Sequence, residues 1–167
     1  FKRRTFSQNK LLISKNNLIG YIDRTGKEVI KCKYSDGNNF YEGLALVKLR
    51  SNYFYINENG EIIIKCAYDR CSNFSEGIAS VRRYHQYGYI NKEGKEIIPC
   101  QFDGARDFHE GLAAVCLNFE YGYIDKTGKV MVSLQYSNAR DFYEGLAAVQ
   151  KNGKYGYIDR TGKEIIP

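Results

Sequence analysis

One spacing constrains this chain more than anything else in it: a 34-residue period that runs from end to end without insertion or deletion. Gly20-Tyr21-Ile22-Asp23 returns as Phe54-Tyr55-Ile56-Asn57, Gly88-Tyr89-Ile90-Asn91, Gly122-Tyr123-Ile124-Asp125 and Gly156-Tyr157-Ile158-Asp159. Gly26, Gly60, Gly94, Gly128 and Gly162 form a second column. Glu-Gly at 42–43, 76–77, 110–111 and 144–145 forms a third, and Phe40, Phe74, Phe108 and Phe142 a fourth. Residues that recur in every unit build and stack the unit, because each copy meets the same packing problem. Function has to be sought where the units differ.

A 34-residue period also fits helical-hairpin repeats, but the local pattern excludes them. Helices need long glycine-poor segments with apolar residues at i, i+3, i+4 and i+7. The last full period instead carries glycines at 145, 153, 156 and 162, and between them lie short β-branched and aromatic runs. Leu146 to Gln150, Tyr155 to Asp159 and Glu164 to Pro167 read as three strands. Lys151-Asn152-Gly153-Lys154 is a two-residue hairpin signal, since Asn-Gly accepts the positive φ of a type I′ turn. Asp159-Arg160-Thr161-Gly162 reads as a longer turn with Asp bonding its own backbone. A linker such as Tyr136 to Phe142 then leads to the next unit, with room for a single helical turn.

The expected fold is therefore all-β: a tandem array of five three-stranded antiparallel meanders, starting near residues 6, 40, 74, 108 and 142, after a basic lead-in over 1–5. One such unit has too little apolar area to fold alone, so residues 1–167 are expected to act as a single array. Propeller blades usually carry four strands, which favours an open elongated solenoid over a closed propeller. The chain opens on Phe1 and ends in mid-period at Pro167, as a piece of a longer array would.

These residues resemble a known family, the WG-repeat (KWG-repeat) proteins, found mainly in bacteria. The resemblance rests on Tyr121-Gly122-Tyr123-Ile124-Asp125, Gly94-Lys95, Ile97-Ile98-Pro99, Phe102-Asp103 and Phe108-His109-Glu110-Gly111-Leu112-Ala113-Ala114-Val115, and it covers essentially the whole chain. It departs at the signature residue. There is no Trp; Tyr53, Tyr87, Tyr121 and Tyr155 stand in its place, with Ile19 in the first unit, and Phe54 replaces a Gly. The resemblance implies a β-rich repeat scaffold that binds other macromolecules, with no shared catalytic site.

The formal charge of +6 points toward nucleic acid, but its distribution points away. Residues 1–33 carry nine Lys/Arg against two Asp/Glu, whereas residues 34–167 carry sixteen against seventeen. A groove that tracks phosphates along a repeat needs basic residues in every unit. Lys2, Arg3, Arg4, Lys31 and Lys33 read as a solvated end, with an anionic partner docking there as the alternative. No apolar run approaches the ~20 residues of a membrane span.

Cys32, Cys66 and Cys100 share a column with Leu134, which marks an apolar packing position and not a metal site. No CxxC pair exists, so neither a metal nor another cofactor is expected, and reduced thiols weakly favour a reducing compartment. His85 and His109 lie outside the repeat columns. The Glu42, Glu76, Glu110 and Glu144 column reads as turn chemistry through bonds to backbone amides. Acid–base catalysis needs carboxylates made different by their surroundings. The Asp23, Asn57, Asn91, Asp125 and Asp159 column exchanges charge for neutral amide, so its duty is hydrogen bonding. No enzyme is expected.

Of the 24 aromatics, 18 fall in four repeat columns, which leaves Phe1, Tyr41, Phe54, Tyr84, Phe119 and Tyr143. Tyr41, His109 and Tyr143 share the position after the column Phe, where alternation places them outside in a row. Tyr84 and Phe119 sit in hairpin turns that elsewhere hold Asn16-Asn17 or Asn152-Gly153. Exposed aromatics of this kind suit interface hot spots. The expected function is a protein-binding scaffold, with a glycan- or cell-wall-polymer-binding module as the alternative.

Overall fold

The computed structural model describes residues 10–166, which form nineteen β-strands and no helix. In the first sheet β1 (Lys10–Lys15), β2 (Leu18–Asp23) and β3 (Glu28–Tyr34) pair in chain order. The second holds β4 (Asp36–Gly37), β5 (Leu44–Leu49), β6 (Asn52–Asn57) and β7 (Ile62–Cys66). The third holds β8 (Arg70–Cys71), β9 (Ile78–Arg83), β10 (Gln86–Asn91) and β11 (Glu96–Phe102). The fourth holds β12 (Gly104–Ala105), β13 (Leu112–Leu117), β14 (Glu120–Asp125) and β15 (Val130–Tyr136). The fifth holds β16 (Asn138–Ala139), β17 (Leu146–Lys151), β18 (Lys154–Asp159) and β19 (Glu164–Ile166). All pairings are antiparallel.

The three-stranded unit expected from the sequence is corrected to four strands in sheets two to five. The linker forms no helical turn; its first residues make a two-residue strand instead. Asp36 pairs with Lys48 and Gly37 with Val47, flanked by Ser35 N–H to the Lys48 carbonyl and Asn38 N–H to the Leu46 carbonyl. Two residues are too few to show an alternating pattern. Four strands per sheet is also the make-up of a propeller blade. Among the described residues no strand of the fifth sheet pairs with the first.

The tight turns follow the sequence closely. Lys151 pairs with Lys154 across Asn152 (φ 51°) and Gly153 (φ 77°). Asp23 Oδ1 accepts from Thr25 N–H at 2.8 Å, Thr25 Oγ1 at 2.6 Å and Lys27 N–H at 3.1 Å. Asp125 and Asp159 repeat this set, and Asn91 keeps its two backbone bonds. Gly88 and Gly122 have a different task. A Cβ on either would lie 2.5 Å from the carbonyl oxygen of Ile98 or Val132, because the next strand bulges against them. Where Phe54 replaces that glycine the bulge is gone, and Tyr53, Phe54 and Tyr55 pair in sequence with Cys66, Lys65 and Ile64.

The core lies between sheets. The strands leading the three middle meanders are buried on both faces, as Leu44 to Val47 illustrate, whereas β17 of the last alternates buried with half-buried residues. Leu44, Leu46, Tyr55 and Ile64 face forward onto Phe74, Ala79, Val81 and Ile90 of the next sheet, and the same set recurs at each junction. The rings of Tyr21, Tyr55, Tyr89 and Tyr123 pack 4.7–4.9 Å from Phe40, Phe74, Phe108 and Phe142 of the following unit. Each such pair contributes about 0.5–1.5 kcal/mol beyond its buried area.

Candidate functional site

Two columns that look like chemistry in the sequence are junction hardware. The hydroxyls of Tyr21, Tyr55, Tyr89 and Tyr123 donate to the carbonyls of Asn38, Ser72, Arg106 and Arg140, each 17 residues on in the next linker, at 2.5–2.8 Å. Burial pushes all four hydroxyls far above the ordinary tyrosine range. The Glu column closes two-residue hairpins in which Glu42, Glu76 and Glu110 adopt φ of 51–54°, an unusual conformation for Glu. Their carboxylates accept from the amides of Gly77, Gly111 and Gly145, each at 2.9 Å in the following unit. Lys92 and Lys126 cap the same turns, 3.2 and 3.1 Å from Glu42 and Glu76. Burial alone would raise the Glu76 carboxyl; the hydrogen bonds from Lys126 and Gly111 outweigh it and hold it below the ordinary range.

The non-repeating feature that stands clear of this hardware is a pair of hairpin tips. Arg83 pairs with Gln86 and Leu117 with Glu120, leaving Tyr84-His85 and Asn118-Phe119 as two-residue loops. All four residues take positive φ, 50° and 69° in the first loop and 51° and 66° in the second. Tyr84 is 84% exposed and Phe119 91%. Each tip is tied down by a carboxylate the other units lack: Tyr84 N–H donates to Asp69 at 3.0 Å and Asn118 N–H to Asp103 at 2.7 Å. The matching positions elsewhere are Ser35 and Ser137. Because the two tips occupy one position in adjacent stacked units, they lie on the same rim. Asp69 and Asp103 were legible as departures from Ser, but nothing in the sequence ties them to the turn fifteen residues on.

Comparison with known families bears on these same columns. The family of the WG containing repeat matches residues 19–53, 53–83, 87–118, 121–155 and 155–167. The chain belongs to the WG-repeat family. The Gly of the WG signature is the residue pressed against the bulge at Gly88 and Gly122. Tyr53, Tyr87 and Tyr121, in the Trp position, are half-buried against the junction cores. No curated protein matches the sequence.

Among solved structures the WG array is similar to Kluyveromyces lactis Hsv2, with 11% identity over 95% of this chain and 61% of that one, TM-score 0.62. It is also similar to a eukaryotic initiation factor, with 12% identity over 94% of this chain and 50% of that one, TM-score 0.64. A third likeness is to the extracellular domain of a hybrid two component system of B. thetaiotaomicron, with 13% identity over 99% and 28%, TM-score 0.52. The chain spans less than two thirds of each of these. The likenesses are to propeller-like folds and concern the fold alone.

The remaining sequence candidates separate. The position shared by Tyr41, Ser75, His109 and Tyr143 is not an open row, a correction to the expected exposed face. It points along the stack: Ser75 Oγ donates to the Phe108 carbonyl at 2.8 Å, and His109 Nε2 lies 3.6 Å from Asp141. Tyr41 and His109 are half-buried, whereas Tyr143 in the last unit is exposed. Lys31 and Lys33 are exposed on β3; Lys2, Arg3 and Arg4 lie outside the described residues. The five cysteines are free thiols. Among the described residues no three His, Cys, Asp or Glu side chains gather as metal ligands, and no helix is long and apolar enough to cross a membrane.

Proposed function

We propose that this WG-repeat array is a non-catalytic scaffold that engages a protein partner through the aromatic tips of β9–β10 and β13–β14. What carries the reading is the near-complete exposure of Tyr84 and Phe119 at positive φ. A side chain larger than Gly in the left-handed region costs about 1–2 kcal/mol, and the equivalent turns are polar: Asn16-Asn17, Arg50-Ser51 and Asn152-Gly153. Bulky aromatics there add no packing to the fold. Asp69 and Asp103 fix the tip backbone before any encounter, which lowers the entropy lost on binding. Aromatic side chains that a partner can desolvate are common interface anchors. A glycan platform built by the repeat would recur from unit to unit, and these tips do not.

The test compares the intact chain with a Tyr84→Asn/Phe119→Asn double variant, used as baits in parallel. Asn accepts the turn geometry, so the variant is expected to melt no lower than the parent. A protein recovered by the parent and lost by the variant carries the proposal. Equal recovery by both would sink it.

A further inference from the structure

The base of the Tyr84 tip carries two like charges face to face. Arg70 of β8 and Arg82 of β9 are direct cross-strand partners. Their side chains therefore leave the same face of the third sheet, with Cβ atoms about 5 Å apart, and like charges so placed destabilise a sheet. The same pairing sets Asp36 opposite Lys48 in the second sheet, Gly104 opposite Cys116 in the fourth and Asn138 opposite Gln150 in the fifth. Charge there is either balanced or absent.

Among the described residues no carboxylate pairs with Arg70 or Arg82. Asp69 and Asp103 accept from the amides of Tyr84 and Asn118. Glu96 lies 3.8 Å from Arg83, whose side chain leaves the opposite face of β9 from that of Arg82. Arg82 is steadied by Tyr87, with its guanidinium carbon 5.9 Å from the ring centroid, and its Nε is buried without a hydrogen-bond partner. Arg70 is exposed, and the residue before it anchors the Tyr84 amide. A fixed donor, a free donor and an exposed aromatic thus stand together.

We infer that Arg70 and Arg82 form a two-guanidinium site for one oxyanion of the protein partner, a phosphorylated or carboxylate side chain. The inference rests on the reading that a partner engages the tips, and it names the chemistry that partner brings. Guanidinium forks match both groups, and a phosphorylated side chain sets about −1.5 to −2 charge against the two cations. The oxyanion relieves the repulsion between the arginines and gives Arg82 Nε its acceptor. A nucleic-acid backbone would need the cation pair to recur along the stack, and in the fourth and fifth sheets it does not.

The test needs no identified partner. Nitrogen-15 NMR of the intact chain follows added inorganic phosphate and added acetate, each against chloride at equal ionic strength. Saturable shifts are expected at the Nε–H groups of Arg82 and Arg70 and at the Tyr84 amide. Arg70→Gln changes an exposed side chain, so it is expected to melt no lower than the parent and to weaken the oxyanion by about tenfold or more. Arg50→Gln, exposed on the neighbouring tip, is expected to bind as the parent does. Saturation by phosphate alone assigns a phosphorylated side chain; saturation by acetate as well admits a carboxylate. Linear shifts spread over the exposed Lys and Arg, or equal affinity in Arg70→Gln, would overturn the inference. Should phosphate saturate while the Tyr84→Asn/Phe119→Asn bait still captures what the parent captures, the oxyanion site stands and the tip reading alone falls.

Discussion

Replacing Tyr89 by Phe isolates the junction hydrogen bond. The ring stays against Phe108 at 4.9 Å, and the change removes one hydroxyl that is fully buried and 2.8 Å from the Arg106 carbonyl oxygen. Little apolar area changes hands. The loss is the bond itself plus a part-buried carbonyl left without its donor, a cost of about 1–3 kcal/mol. In a chain of this size each kcal/mol moves Tm by about 2–4 °C, so Tyr89→Phe is expected to lower Tm by about 2–12 °C. The array supplies its own control. Tyr157 belongs to the same column but is 44% exposed, so Tyr157→Phe is expected to stay within about 0.5 kcal/mol of the parent, as surface substitutions do. Calorimetric melts of both variants beside the parent make the comparison. Equal shifts, or no shift for Tyr89→Phe, would refute the claim that buried hydroxyls lock successive units.

Other perturbations follow from the same geometry. Burial holds the four junction tyrosines neutral far above pH 10, whereas unfolded tyrosines ionise near 10. The folded form thus retains protons that the unfolded form releases. Stability is whole below pH 10 and falls above it, by about 1.4 kcal/mol per tyrosine per pH unit. Cooperative unfolding is expected within about three units above pH 10, given a typical stability of about 5–15 kcal/mol; gradual tyrosinate absorbance with unchanged circular dichroism would contradict this. Gly122→Ala puts a Cβ 2.5 Å from the Val132 carbonyl oxygen and is expected to cost about 1–3 kcal/mol in a denaturant melt. The Thr127 hydroxyl, assisted by the Thr127 and Lys129 amides, holds the Asp125 carboxyl below its ordinary value. Its contribution is present above about pH 4 and lost as pH falls through the lower, folded-state value. Asp125→Asn, which keeps the acceptor oxygen, is expected to flatten the acid dependence of amide exchange at Thr127 and Lys129. Phe119→Asn places a residue suited to positive φ in the turn and is expected to raise Tm, since a bulky residue there costs about 1 kcal/mol or more.

Much of the fold was legible because a repeat states its packing rules several times over. The Asn152-Gly153 turn, the Asp23 turn and the three long strands follow from local chemistry that needs no tertiary knowledge. The short strand at Asp36–Gly37 was not legible, since its two residues carry no period and its partner at Lys48 lies across a loop. The Glu column was readable as amide capping, but its amide sits 35 residues away, in a unit that becomes a neighbour only on stacking. The Tyr41, His109 and Tyr143 row misled for a related reason. Alternation from the buried Phe points its neighbour outward from the sheet, and in a stack that direction is filled by the next linker. Tyr84 and Phe119 were legible as misfits in a polar turn, and the structure adds their anchors at Asp69 and Asp103.

The central claim is that recognition resides in the two tips and not in the repeated columns. Hydrogen–deuterium exchange of the chain, alone and with its captured partner, addresses it directly. The account predicts that added protection concentrates at residues 83–86 and 117–120. Protection spread over the repeat columns, or absent from both tips, would contradict it.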